Sequence, residues 1–180
     1  MVMSVSGLIA LGLGAPALGD TLTDKAAALE KAHVAVDPIK SHFMKTLKAA
    51  VNQKGIHGAI DQCKIDASKI TENASIEVGR TSLKIRNPEN KPRDWMMPTL
   101  KKYESWKPGQ PLESEILVPI GKEHVGYMEP IIVKPLCLHC HGKSLSPAVK
   151  SELKESYPQD KATGFSVGDL RGFFWAEFKP

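Results

Sequence analysis

Apolar positions along this chain change their period as the chain advances. From Asp24 onward Ala26, Ala27, Leu29, Ala32, Val34 and Val36 recur among charged neighbours. After Pro38 the pattern resumes with Ile39, Phe43, Met44, Leu47, Ala50 and Val51. This is helical spacing, and it predicts one long helix, capped at Thr21 or Thr23, bent near Pro38 and ending before Gly55. Ile56, Ile60, Cys63, Ala67 and Ile70 then fall four, three, four and three apart. They form an apolar stripe on a second helix, with Cys63 in its middle.

Between Ser75 and Arg86 the period drops to two: Ile76, Val78, Thr81, Leu83 and Ile85 punctuate polar residues, as in a strand. Asn87-Pro88-Glu89-Asn90-Lys91-Pro92 is turn chemistry, and a short helix carrying Leu100 and Tyr103 follows Trp95-Met96-Met97. Two strands, 112–120 and 125–133, flank Gly121-Lys122-Glu123-His124 and read as a hairpin. Pro130 and Pro135 mark the second of these as an edge strand or one with an irregular end. Ser146-Pro147 opens a short helix to about Glu155, and the segment from Leu170 to Phe178 reads as a terminal strand. Helices first and antiparallel strands later make an α+β layout, a sheet with helices to one side.

Composition narrows the classes. With 180 residues, 42% of them hydrophobic, the chain can bury the core of one domain. The 24 basic and 20 acidic residues are interleaved, with no basic run of the kind that tracks nucleic acid. Residues 1–19 are apolar and rich in small residues, too short to span a bilayer comfortably, and end in Ala17-Leu18-Gly19. They read as a signal peptide, although no Lys or Arg precedes the apolar run. The expectation is an exported, periplasmic domain over residues 20–180, with no membrane span after cleavage.

The chemistry concentrates at Cys137-Leu138-His139-Cys140-His141. C-x-x-C-H is the attachment signature of haem c. Two thiols three apart reach the two vinyl groups on one edge of the macrocycle, and the following histidine is placed beneath the iron. Cys137 and Cys140 are therefore the candidate thioether residues and His141 the candidate axial ligand, with His139 a spacer facing away. The competing readings of the motif are half of a zinc site and a redox dithiol, which has no βαβ context here. Cys63 is the odd cysteine of three. Its place on an apolar stripe fits a packing residue, and a ligand role stays open. Met96 or Met97 could supply a thioether as a competing sixth ligand, against core filling beside Trp95, and His33, His42, His57 and His124 fit boundary or surface positions better than a ligand role. Arg80 and Arg86 have the geometry to meet haem propionates, against the simpler reading of a solvated strand and loop. Asp169 and Arg171 could pair across a glycine turn in a structural role.

Several phrases in order carry a resemblance: Ala59-Ile60-Asp61-Gln62-Cys63, the run from Gly79 to Asn90, Trp95, Pro130-Ile131, Cys137 to Gly142, Tyr157 to Phe165, and Gly168-Asp169-Leu170-Arg171-Gly172. Together they resemble a bacterial family of monohaem c-type proteins with a PAS-like fold, formerly a domain of unknown function. The resemblance covers nearly the whole chain after residue 19. It implies a PAS-like antiparallel sheet with a long N-terminal helix and flanking helices. It also implies axial ligation by His141 and by a cysteine that corresponds to Cys63.

The resulting expectation is a periplasmic protein with one covalent haem c, acting in electron transfer or in redox or gas sensing with an unidentified redox partner. No nucleophile–base pair and no second metal motif is legible, which argues against enzymatic activity. The alternatives are a peroxidase-like haem enzyme from which Cys63 departs, and a haem-free zinc protein using Cys63, Cys137, Cys140 and His141.

Overall fold

The structure, a computed structural model, describes residues 18–60 and 75–180. A long helix, α1 (Leu18–Gly58), leads into β1 (Glu77–Thr81), α2 (Met97–Lys102), β2 (Ile116–Ile120), β3 (His124–Ile132), α3 (Leu138–His141), α4 (Pro147–Ser156) and β4 (Leu170–Phe178). The four strands make one antiparallel sheet in the order β1-β4-β3-β2. This is the α+β architecture of a sheet with flanking helices that the patterning predicts.

The two faces of the sheet follow the period-two alternation of its strands. Val78, Tyr127, Ala176 and Phe178 point to one face, where α1 lays Ala28, Ala32, Ala35, Val36 and Ile39 against them. Alanines at three of these five positions let the helix approach the sheet closely, and the larger Val36 and Ile39 fill what remains. Met128 and Phe173 point to the other face and pack with Met96, Leu100 and Tyr103, joined by Trp95 and Trp175. Met96 is fully buried in that second core, the packing one of its two readings.

Pro38 does not end α1. The interruption of helical dihedrals comes at Gly55, with φ 74° and ψ 178°. Val34, four residues before Pro38, faces solvent, where water can take the carbonyl that proline leaves without a donor. Gly55 adopts a positive φ that disfavours any side chain, so the predicted end of the long helix coincides with this break.

Three strand boundaries differ from the patterning. β1 stops at Thr81 because the chain turns there: the Lys84 amide donates to Ser82 Oγ at 3.0 Å. β2 starts only at Ile116, since Tyr103 Oη donates to Glu113 at 2.9 Å and Trp106 Nε1 donates to the Gln110 and Pro111 carbonyls, folding that segment over the second core. β3 is an interior strand by order, yet β2 pairs with it only as far as Met128. Pro130 lies beyond that point, opposite Phe173 of β4, and the register shifts between Ile131 and Ile132. A proline is tolerated there because one flank of the strand is no longer in a ladder. The α4 start is as predicted: Ser146 caps it by accepting the Val149 amide at 3.3 Å, with Pro147 in the first turn.

Candidate functional site

The segment after β3 coils at once. Pro135–Cys137 forms a 3₁₀ turn that runs directly into α3, so Cys137 and Cys140 sit three residues apart on continuous helical turns and share one side. Both are half-buried. The Cys137 sulfur accepts the Lys134 amide at 3.4 Å, and Cys140 leans on a small core of Ile60, Val149, Leu153 and Tyr157. His139 is exposed and borders the cavity at its rim. Gly142 ends the helix: a Cβ there would lie 2.5 Å from the Leu138 carbonyl oxygen, so the close approach requires glycine.

A strap formed by residues 160–165 holds this turn. The Phe165 amide donates to the His141 carbonyl at 3.0 Å and the Gly164 amide to the Gly142 carbonyl at 3.1 Å. His141 Nδ1 lies 2.6 Å from the Ala162 carbonyl oxygen. A carbonyl can only accept, so Nδ1 carries the proton and Nε2 keeps its lone pair. Burial, reinforced by the charges of Arg171 and Arg86, holds the His141 imidazole well below its ordinary pKa and therefore neutral. Phe165 meets the ring edge-on at 6.4 Å between centroids.

The turn borders a cavity of about 300 Å³. Phe43, Met44, Leu47, Val51 and Ile56 of α1 form one wall; Cys137, Cys140 and His141 line the opposite end. Pro130, Ile131 and Phe174 of the sheet close its floor. The stripe on α1 thus has two fates. Its small N-terminal members are buried against the sheet, whereas its large C-terminal members are only half-buried because they face the cavity.

Arg80, Arg86 and Arg171 all border the cavity. The Arg80 guanidinium lies 4.1 Å from the centroid of the Phe43 ring. Arg86 is 4% exposed and pairs at 3.1 Å with Asp160, whose side chain is 9% exposed. Its Nη2 also donates to the Cys140 and Ala162 carbonyls, while Nε and Nη1 are buried without a partner. Arg86 therefore ties the cysteine turn to the strap and keeps two nitrogens, Nε and Nη1, in reserve as donors. Arg171 donates to the Lys84 carbonyl at 3.0 Å and lies over Phe165, and Asp169 accepts the Ser166 amide at 2.7 Å.

The other sequence-predicted positions are placed as follows. His33 contacts Glu115 and Tyr127 rather than the cavity, and His42 is exposed. His124 begins β3 at the hairpin, and Met97 is half-buried on the second core. Cys63 and residues 1–17 lie outside the described residues. No group of three or more His, Cys, Asp or Glu side chains is placed to hold a metal ion among the described residues, and no helix there is long and apolar enough to cross a membrane. Patterning passes over the Ala162 carbonyl, Asp160 and the cavity-side position of Arg171. Asp160 carries a weak signal, an acid two residues before Ala162 in a loop whose amide it caps at 2.8 Å. A backbone carbonyl carries none.

No curated protein sequence matches the chain. Among solved structures, a cyanobacterial heme-protein, Tll0287, aligns over 91% of this chain and 97% of its own, with a TM-score of 0.55 and 24% identity, a likeness of fold. A family model described as Tll0287-like matches residues 20–177, and the chain belongs to that Tll0287-like family.

Proposed function

We propose that this chain is a periplasmic monohaem c-type protein that carries or senses single electrons. In this reading Cys137 and Cys140 would form the thioether bonds, and His141 and Cys63 would bind the iron. One observation carries the reading: the C-x-x-C-H turn borders an apolar cavity, and the Ala162 carbonyl holds His141 as the neutral tautomer whose free nitrogen is Nε2. That is the arrangement in which a histidine binds a metal, its other ring N–H held by a carbonyl. A solved protein of the same fold is a heme-protein by name, which supports the same assignment.

The residues present fit the group. The cavity lies within the size range of cofactor sites, its walls are largely apolar, and Arg86 keeps two buried donor nitrogens without partners, suited to a propionate. Arg80 is the second candidate for that role. Bound haem would supply a one-electron couple. The chain's own part is to present Nε2, to exclude water with Phe43, Leu47 and Val51, and to offset carboxylate charge with arginine. Thiolate ligation by Cys63 would favour the ferric state and a low potential. Residues 1–19 would act as the export signal, and a separate redox protein would exchange the electron.

Intact mass of the protein purified from a host with periplasmic haem-attachment machinery tests the reading. The expected result is one covalent haem, lost in Cys137→Ala/Cys140→Ala. A haem-free chain carrying one zinc would overturn it. Cys63→Ala and Cys63→Met should each move the Soret band and the potential of the ferric protein; unchanged spectra would remove Cys63 from the ligand set.

A further inference from the structure

On the face of the sheet that packs on α1, largely apolar apart from Arg80 at the cavity, one line of polar side chains starts at the cavity and ends at the surface. Lys40 and Glu129 border the cavity and are joined by bonds of 2.7 and 2.8 Å. Glu129 is 23% exposed and accepts from Tyr127 Oη at 3.2 Å. Tyr127 is fully buried at the centre of the sheet. On its other side the same hydroxyl lies 3.4 Å from Glu115. Glu115 is in turn paired with His33 Nε2, and the His33 side chain is 38% exposed. Four residues from α1, β3 and the segment before β2 thus form one hydrogen-bonded line. None of it is needed to hold the C-x-x-C-H turn.

The structure assigns to Glu129, Tyr127, Glu115 and His33 the role of a proton path between the cavity and solvent, so that an electron entering the cavity is accompanied by one proton taken up at His33. This rests on the reading of the cavity as a one-electron redox site. A tyrosine hydroxyl has one proton to donate and lone pairs to accept. Placed between two carboxylates, it can accept a proton from the Glu115 side while giving its own to Glu129. The phenol need not ionise: burial and the charges of Glu129 and Glu115 push its pKa upward.

The balance is simple. A one-electron donor protein adds one negative charge to the cavity, and solvent adds one proton to the chain of residues. Reoxidation by a one-electron acceptor returns both, and no other bond changes. Histidine is the group in the line whose ordinary pKa lies near neutrality. The charged groups around the line are Asp37 and Lys40 of α1, Glu115, Glu129 and, at the cavity, Arg80 of β1. Lys31 sits farther along, over Phe178. β4 contributes only Phe174, Ala176 and Phe178 to this face. The three carboxylates outnumber Lys40 and Arg80, so the charge around the line favours an added proton.

Two measurements test the path. The first is the potential of the holoprotein against pH. In the wild type it should fall as pH rises through the histidine range, because the reduced form binds the extra proton more tightly. The dependence should be lost in Glu129→Gln, which removes the group that holds the proton beside the cavity. Tyr127→Phe, which keeps the ring, and His33→Gln interrupt only the route, so they should keep the equilibrium slope and slow proton uptake after rapid reduction. A flat wild-type profile, a slope unchanged in Glu129→Gln, or uptake as fast in both route variants as in the wild type would overturn the proposal. The second needs no haem: NMR titration of His33 with and without Glu129→Gln. Removing the Glu129 charge should move the His33 titration curve, and the move should be smaller in a Tyr127→Phe background. Equal shifts in both backgrounds would overturn the path even if haem attachment had failed, which separates this proposal from the one beneath it.

Discussion

His141 Nδ1 and the Ala162 carbonyl oxygen lie 2.6 Å apart, although twenty residues separate them in the chain. The bond selects the tautomer of the imidazole, and it exists only because residues 160–165 fold back across the cysteine turn. Any change that frees this strap should release the histidine as well.

Asp160→Ala tests that dependence. It leaves the Arg86 guanidinium buried without its carboxylate, a loss of about 3–5 kcal/mol for a broken buried pair. Denaturant unfolding should show a lowered midpoint. The yield of covalently loaded protein should fall with it, while Asp160→Asn should recover part of both.

Gly142→Ala places a Cβ against the Leu138 carbonyl. The end of α3 must then shift, at about 1–3 kcal/mol for an overpacked site. The expected signature is a changed Soret band in the loaded protein, because His141 is the adjacent residue. An unaltered spectrum and stability would show that the turn has slack.

Ile39→Ala and Leu47→Ala separate the two halves of the α1 stripe. Ile39 is 3% exposed in the packed core, and its truncation should cost about 2–5 kcal/mol, with or without a cofactor. Leu47 lines the cavity. Its truncation should matter little to the empty protein and more to the loaded one. Paired unfolding curves of the two forms check this.

Alkaline stability should depend on Tyr127. Its folded pKa is raised above the ordinary value near 10 by burial and by Glu129 and Glu115. The contribution is fully present below the unfolded pKa and is lost as pH rises toward the folded one, because the unfolded chain then ionises first. Stability should therefore decline above about pH 10, and Tyr127→Phe should flatten that part of the curve.

Much of the fold is legible in the residue pattern. The long α1 run, the hairpin at Gly121, the Ser146-Pro147 cap and the last strand each depend on neighbours within a few positions, and all are found within a few residues of where the pattern places them. The pattern is weaker where distant contacts decide. Ile85 continues the alternation beyond Thr81, yet β1 has ended, because pairing with β4 runs out at Phe173.

The sequence by itself determined the chemistry that spacing can encode: two thiols and a histidine on adjacent helical turns, and an apolar face on α1, since both follow from backbone periodicity alone. It left Met96 open between core filler and a thioether ligand, and burial in the second core decided for the core. Only the tertiary structure decided which part of the α1 stripe is core and which is cavity wall, because Ile39 and Leu47 look alike until the sheet is placed beneath one and not the other. Likewise, only folding brought the Ala162 carbonyl to His141, Asp160 to Arg86, and Glu129, Tyr127, Glu115 and His33 into one line. Apart from Glu129 and Tyr127, which are neighbours on one strand face, these contacts join residues 12 to 82 positions apart, and no local period records them.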